Sequence, residues 1–150
     1  MEQLILHLIG DYWTQSQWMA ENKSRRHWPA LVHAAVYSLP FLLLTGWAGW
    51  AVIFSTHFLI DRYRLIRYLV WVKNTLGCPE FWDALILDRL AACFGDFMDQ
   101  ELERPYYPTW EECSVNGYSD KMPVWLATWL SIIADNTAHL AINHLAIKFL

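Results

Sequence analysis

The chain has 150 residues, enough for one domain with one core; 55 % are apolar and only 17 % are charged, against roughly 25 % charged in ordinary globular domains. The net charge of −4 excludes the basic footprint that nucleic acid requires. Cys78, Cys93 and Cys113 are too widely spaced to form a zinc-type pair and are expected to be free thiols.

Residues 1–20 have no basic start, and His7 and Asp11 interrupt their apolar run, so no cleaved signal peptide is expected. Residues 3–20 read instead as one helix, on which His7, Asp11 and Gln15 recur every fourth residue along a polar stripe. Lys23, Arg25 and Arg26 then end it in water or at headgroups.

From Trp28 to Ile60 the chain runs 33 residues without Asp, Glu, Lys or Arg. As one helix this run would be ~50 Å long, too long for a bilayer core of ~30 Å. Thr45 to Trp50 supplies glycine breakers and interfacial tryptophans, so the spacing predicts a hairpin with arms at about 28–44 and 49–72. Both ends of that hairpin are basic, with Lys23, Arg25 and Arg26 before it and Arg62, Arg64, Arg67 and Lys73 after it. This is the positive-inside pattern of two spans with cytoplasmic ends. The ten Trp and seven Tyr fit membrane-interface anchors.

Gly77 and Pro79 mark a break, and residues 77–122 read as a polar insertion. Within it, 80–100 carries Phe81, Trp82, Leu85, Leu90, Phe94, Phe97 and Met98 near helical spacing, which predicts an amphipathic helix. Residues 104–122 read as a long loop, either a functional lid or a poorly ordered segment. A last helix is expected from about Pro123 to Leu150, with Asp135 its only charge before Ile147.

Three segments each carry a histidine and an aspartate four residues apart: His7 with Asp11, His57 with Asp61, and Asp135 with His139. A fourth adds a lone His33. Side chains at i and i+4 are neighbours on one helix face, so each pair can present an imidazole and a carboxylate to one divalent ion. Any single pair reads better as a hydrogen-bonded dyad without metal, and His33 alone as a satisfied core histidine. Three pairs among so few charges point further, because helix bundles build two-metal sites from facing carboxylates and i-spaced ligands. The expected ligands are therefore His7, Asp11, His33, His57, Asp61, Asp135 and His139, holding two ions with one carboxylate bridging. Nitrogen and oxygen donors without thiolate suit zinc, or manganese or iron. The proton-relaying or structural polar network is the alternative.

Gln15, Asn136 and Asn143 are expected to orient the ligands. Arg62 and Arg64 beyond Asp61 are candidates to hold a phosphate or lipid headgroup, although positive-inside anchoring alone is the stronger account of them. His144 lies about 140° around the helix from His139, and His27 follows a basic cluster; neither is expected as a ligand.

The segments His7-Leu-Ile-Gly-Asp11-Tyr-Trp-Thr-Gln15, Trp18-Met-Ala-Glu-Asn-Lys23, His33-Ala-Ala-Val-Tyr37, His57-Phe-Leu-Ile-Asp61-Arg62 and Asp135-Asn-Thr-Ala-His139-Leu140 resemble a family of bacterial and phage membrane proteins, domain of unknown function 3307. The resemblance covers about 1–75 and 123–145. That family usually has Gln after the closing Asp, where this chain has Asn136. The resemblance implies a membrane-bound metal-dependent hydrolase. The paired helices also look like those of zinc-dependent phospholipase C and related helical nucleases, a likeness of site architecture only. The expected protein is thus an all-α, multi-pass inner-membrane bundle of about four embedded helices plus an amphipathic one. It would hydrolyse a lipid or lipid-linked phosphoester at the cytoplasmic face, with the bilayer and a second copy of the chain as candidate partners. The alternative is a non-enzymatic transporter or small effector.

Overall fold

The computed structural model describes residues 1–94 and 105–150. Every regular element among them is helical. In order they are α1 (Glu2–Leu8), a π-helical turn (Ile9–Trp13), α2 (Gln17–Asn22), α3 (His27–Ser38) continued by a 3-10 turn (Leu39–Leu43), α4 (Trp47–Tyr63), α5 (Ile66–Leu76), α6 (Pro79–Phe94), α7 (Trp110–Cys113) and α8 (Val124–Phe149). They fall into two compact units, Met1–Ile66 with Ile132–Leu150, and Arg67–Ser131.

No helix among the described residues is long and apolar enough to cross a membrane. This overturns the expected bundle of transmembrane helices and, with it, the multi-pass inner-membrane location. The reason lies in how the uncharged run is divided. The 12-residue α3 and 17-residue α4 extend only ~18 and ~26 Å at 1.5 Å per residue, against ~30 Å of hydrocarbon. The 26-residue α8 is long enough, but Ser131, Asp135, Asn136, His139, Asn143 and His144 are spread along it.

The turn expected near Gly46 is present, with Gly46 preceding the first residue of α4. The second arm differs from expectation. The backbone enters the left-handed region at Arg64 (φ 52°, ψ 47°), which ends α4, and the chain restarts as α5. The single helix expected over 3–20 also divides. Thr14 closes the π turn, its N–H donating to the Ile9 carbonyl at 2.9 Å and its hydroxyl to the Gly10 carbonyl at 3.0 Å. Ser16 then caps α2, its Oγ accepting from the Met19 N–H at 3.3 Å.

In the first unit the buried positions form continuous stripes. On α3 and its extension they are Ala30, His33, Ala34, Tyr37 and Phe41; on α4 they are Gly49, Ile53, His57, Ile60 and Asp61; on α8 they are His139, Asn143 and Ala146. Their spacing of three and four is that of one helix face. Tyr37, Phe41, Ile53 and Ala146 pack together as an apolar core, flanked by Leu6, Leu44 and Ile147. The same stripes continue from this core into histidine and aspartate, so helix packing alone carries those side chains to one place.

In the second unit a capping box between Thr109 and Glu112 starts α7. Asn74 donates to the Gly117 carbonyl at 3.0 Å, and Trp71 to that of Pro108 at 3.3 Å. Gly117 has φ +86°, and a Cβ there would lie 2.4 Å from the Arg67 carbonyl oxygen, so both conformation and space require glycine. The amphipathic helix expected over 80–100 corresponds to α6; residues 95–104 lie outside those described. Cys78 and Cys113 are free thiols, and the side chain of Cys93 lies outside the described set.

Ile53 is fully buried and Leu43 is 85 % exposed. Ile53→Ala should therefore lower stability to denaturant by about 2–5 kcal/mol, while Leu43→Ala should change it by less than about 0.5 kcal/mol. Equal effects in denaturant titrations would place the core elsewhere.

Candidate metal centre

The π turn, α3 and α4 together bring Asp11, His33, His57 and Asp61 within 4.8 Å of one another, ligand atom to ligand atom, and all four are buried. The Nε2 atoms of His33 and His57 lie 3.0 Å apart. His33 Nε2 is 3.2 Å from both Asp11 Oδ1 and Asp61 Oδ2; His57 Nε2 is 3.4 and 3.2 Å from the same two oxygens. Asp61 Oδ1 faces the other way, 3.7 Å from His139 Nε2, which is 3.6 Å from Asp135 Oδ2. Asp61, Asp135 and His139 thus form a second group able to hold a cation, and Asp61 belongs to both.

Donor chemistry favours a cation here. Two imidazole nitrogens and two carboxylate oxygens converge, and each nitrogen can either donate or accept, but the carboxylates can only accept. Buried His139 Nε2 and Asp61 Oδ2, both turned into the site, have no hydrogen-bond partner. Buried polar atoms are nearly always partnered, so such exceptions call for an explanation, an ion among them. These residues can hold a metal ion.

Protonation follows the same geometry. Burial works against ionised Asp11 and Asp61. Hydrogen bonding from His33, with the charge of Lys23, more than reverses this for Asp11. His139, His33 and His57 hold Asp61 well below the usual carboxylate range. Burial likewise opposes charge on His33 and His139, but the hydrogen bond to Asp11 and the neighbouring Asp61 carboxylate raise the former, and Asp61 with Asp135 raises the latter. Burial pushes His57 down to about 4, lowers His7, and pushes Asp135 up to about 6.

His7 is placed differently from the other expected ligands. Its Nδ1 accepts from the Tyr37 hydroxyl at 2.7 Å, and its Nε2–H donates to Asn136 Oδ1 at 3.0 Å. The Asn143 amide donates to the Tyr37 oxygen at 2.6 Å, and that of Asn136 to the Tyr12 hydroxyl at 2.8 Å. Both ring nitrogens of His7 are thus engaged by protein; its distance to Asp11 is 3.6 Å, and it belongs to neither ligand group. Asn136 and Asn143 orient this network, while the buried Gln15 Oε1 makes no hydrogen bond.

Arg62 lies beside the site, but its guanidinium donates to the Ser24 carbonyl at 2.9 Å. Arg64 is exposed at the left-handed end of α4. His27 packs at ring-centroid distances of 6.4 Å from Phe58 and Tyr63. His144 lines a surface recess with Met1, Glu2, Gln3, Leu44 and Ile147.

Two members of the site were not expected from sequence. Tyr37 stacks on His57, with centroids 3.6 Å apart and planes at 15°, and Lys23 Nζ sits 2.9 Å from Asp61 Oδ2. A signal for Tyr37 exists, since it stands four residues after His33 on the same face. A lysine closing an apolar helix carries no comparable signal.

A sequence model for a protein family of unknown function, DUF3307, matches residues 1–81. The chain belongs to this family. No curated protein and no solved structure is detectably similar to it. The DUF3307 match contains Asp11, Lys23, His33, His57 and Asp61, and ends before Asp135 and His139.

The pKa directions set a stability trend for the metal-free protein. His33 and His139 are raised, so their protonated forms stabilise the fold fully below pH 6.5, and this is lost as pH rises through their folded values. His7 and His57, shifted down, and Asp135, at about 6, contribute little further change above that point. Chelator-treated protein should therefore lose thermal stability as pH rises above 6.5, by at most ~1.4 kcal/mol per group and pH unit. His33→Gln should flatten the decline. A wild-type profile that is level or rising across that window would contradict the charged His33 arrangement.

Proposed function

We propose that this DUF3307 protein is a metal-dependent hydrolase of phosphoesters, whose two His/Asp groups, sharing Asp61, would hold two divalent ions. One observation carries this reading: the two oxygens of Asp61 face different ligand groups, Oδ2 towards His33 and His57, Oδ1 towards His139. Zinc suits the nitrogen and oxygen donors best, with manganese or iron as the alternatives. When bound, a pair of divalent ions supplies Lewis acidity towards water and towards the oxygens of a phosphoester.

The protein's own residues divide the work. Asp11, His33, His57 and Asp61 form the closed group, all buried. Asp135 is the member that water reaches, its side chain 35 % exposed. Catalytic metal sites keep an open position whereas structural ones are closed, so the Asp61–Asp135–His139 group is the side from which substrate approaches. Tyr37, stacked on His57, fixes the plane of that imidazole. Lys23, its side chain 21 % exposed, stands where an anionic substrate meets the centre.

Elemental analysis of the purified protein should find zinc, manganese or iron approaching two ions per chain, and the His57→Ala, Asp61→Ala double variant should lose them. Hydrolysis should appear in a panel of lipid phosphates and water-soluble phosphoesters, vanish with chelator and return with metal. Folded wild-type protein that takes up no zinc even when it is supplied would end the reading, leaving a His/Asp network neutralised by Lys23 and its own histidines. Hydrolysis indifferent to chelator would end it equally.

A further inference from the structure

The polar cluster already contains one cation. Lys23 follows the last residue of α2, and its Nζ lies 2.9 Å from Asp61 Oδ2 and 3.3 Å from His33 Nε2. These are two of the four ligand atoms of the closed group. The ammonium therefore stands against the same atoms that an ion would use.

We infer that Lys23 is the resident cation of the metal-free centre, which a divalent ion must displace, so that this side chain sets the affinity of the site. The inference rests on the two-ion reading above.

Three features support displacement over permanent pairing. The contact to Asp61 Oδ2 is close, yet that oxygen makes no aligned hydrogen bond; the lysine neutralises it without being locked to it. The lysine is also the most accessible partner of Asp61 in the closed group, its side chain 21 % exposed against 0 % for His33 and 1 % for His57. It can leave towards solvent by rotating its own stem. Finally, the backbone beside it is held independently. Arg62, adjacent to Asp61, donates to the carbonyl of Ser24, adjacent to Lys23, at 2.9 Å. The ammonium can therefore swing away while the link between the two segments stays closed.

Charge gives the exchange its direction. Two carboxylates, Asp11 and Asp61, converge on the closed group, and a divalent ion sets twice the charge of one ammonium against them. A lysine has no lone pair to offer a metal while it is charged, so it cannot stay as a ligand and must vacate the position.

The test measures zinc affinity by competition with a chromophoric chelator, alongside thermal stability in a metal chelator, for wild type, K23M and K23R. Lys23→Met keeps the aliphatic stem and removes the charge, while Lys23→Arg keeps the charge. K23M should bind zinc at least about tenfold more tightly than wild type, because the competing cation is gone, and should melt at a lower temperature without metal, because Asp61 has lost its counter-charge. K23R should stay near wild type in both. If K23M does not fold without metal, K23Q, which retains a donor towards Asp61, takes its place with the same expected ranking. Zinc binding by K23M that equals or falls below wild type would overturn the competition while leaving the metal centre standing. No zinc binding by wild type, K23M or K23R would overturn the centre itself, and this inference with it.

Discussion

A carboxylate in a protein interior must be balanced, and the first unit is organised around balancing Asp61. Its side chain is 5 % exposed, and an unpaired charge at that depth would cost several kcal/mol. No single helix supplies the compensation. Lys23 comes from the end of α2, His33 from α3, His57 from the preceding turn of α4, and His139 from α8. Asp11, on the π turn, shares His33 and His57 with it. Removing any of these segments exposes or unbalances the carboxylate, so helix packing and charge neutralisation are the same constraint seen from two sides.

Tyr37 is where the apolar core passes into this cluster. Its ring packs on Phe41 at 5.4 Å on the core side and on His57 at 3.6 Å on the polar side. Its hydroxyl accepts from Asn143 and donates to His7, so the polar end of a buried aromatic is fully used. Close approach of the π turn depends on Gly10, where a Cβ would lie 2.5 Å from the Tyr37 ring. The extra residue of a π turn, often found at functional sites, is thus placed where the chain must fit both this ring and the candidate ligand Asp11.

The sequence made the local part of this legible. His57 with Asp61 and Asp135 with His139 are one helical turn apart, and i, i+4 geometry alone puts each pair on one face. What it could not convey was which distant group each face meets. His7 and Asp11 have the same spacing, yet His7 is engaged by Tyr37 and Asn136, 30 and 129 residues away. Lys23 looked like the charge that ends a helix in solvent, and only the folding of α2 back towards α4 turns it inward. The membrane expectation failed for a related reason. Lack of charge over 28–60 measures apolar composition, whereas spanning requires unbroken length. Here each arm of the expected hairpin falls short, the first changing from α-helix to a 3-10 turn after Ser38 and the second ending at Tyr63.

The uncharged run has a second explanation in the cluster itself. Its two histidines, His33 and His57, face the same buried position. A further Lys or Glu on the stripes of α3 or α4 would need its own partner among residues such as Ala30, Ala34 and Ile53, which offer none. The polar groups allowed there are those that answer Asp11 and Asp61. The four ligands of the closed group and Lys23 all lie within the DUF3307 match, while the more open group takes Asp135 and His139 from α8, beyond it. The family-matched residues therefore assemble the balanced, buried half of the centre by themselves. What α8 adds is the half with a way in, and the chemistry proposed for the whole depends on joining the two through Asp61.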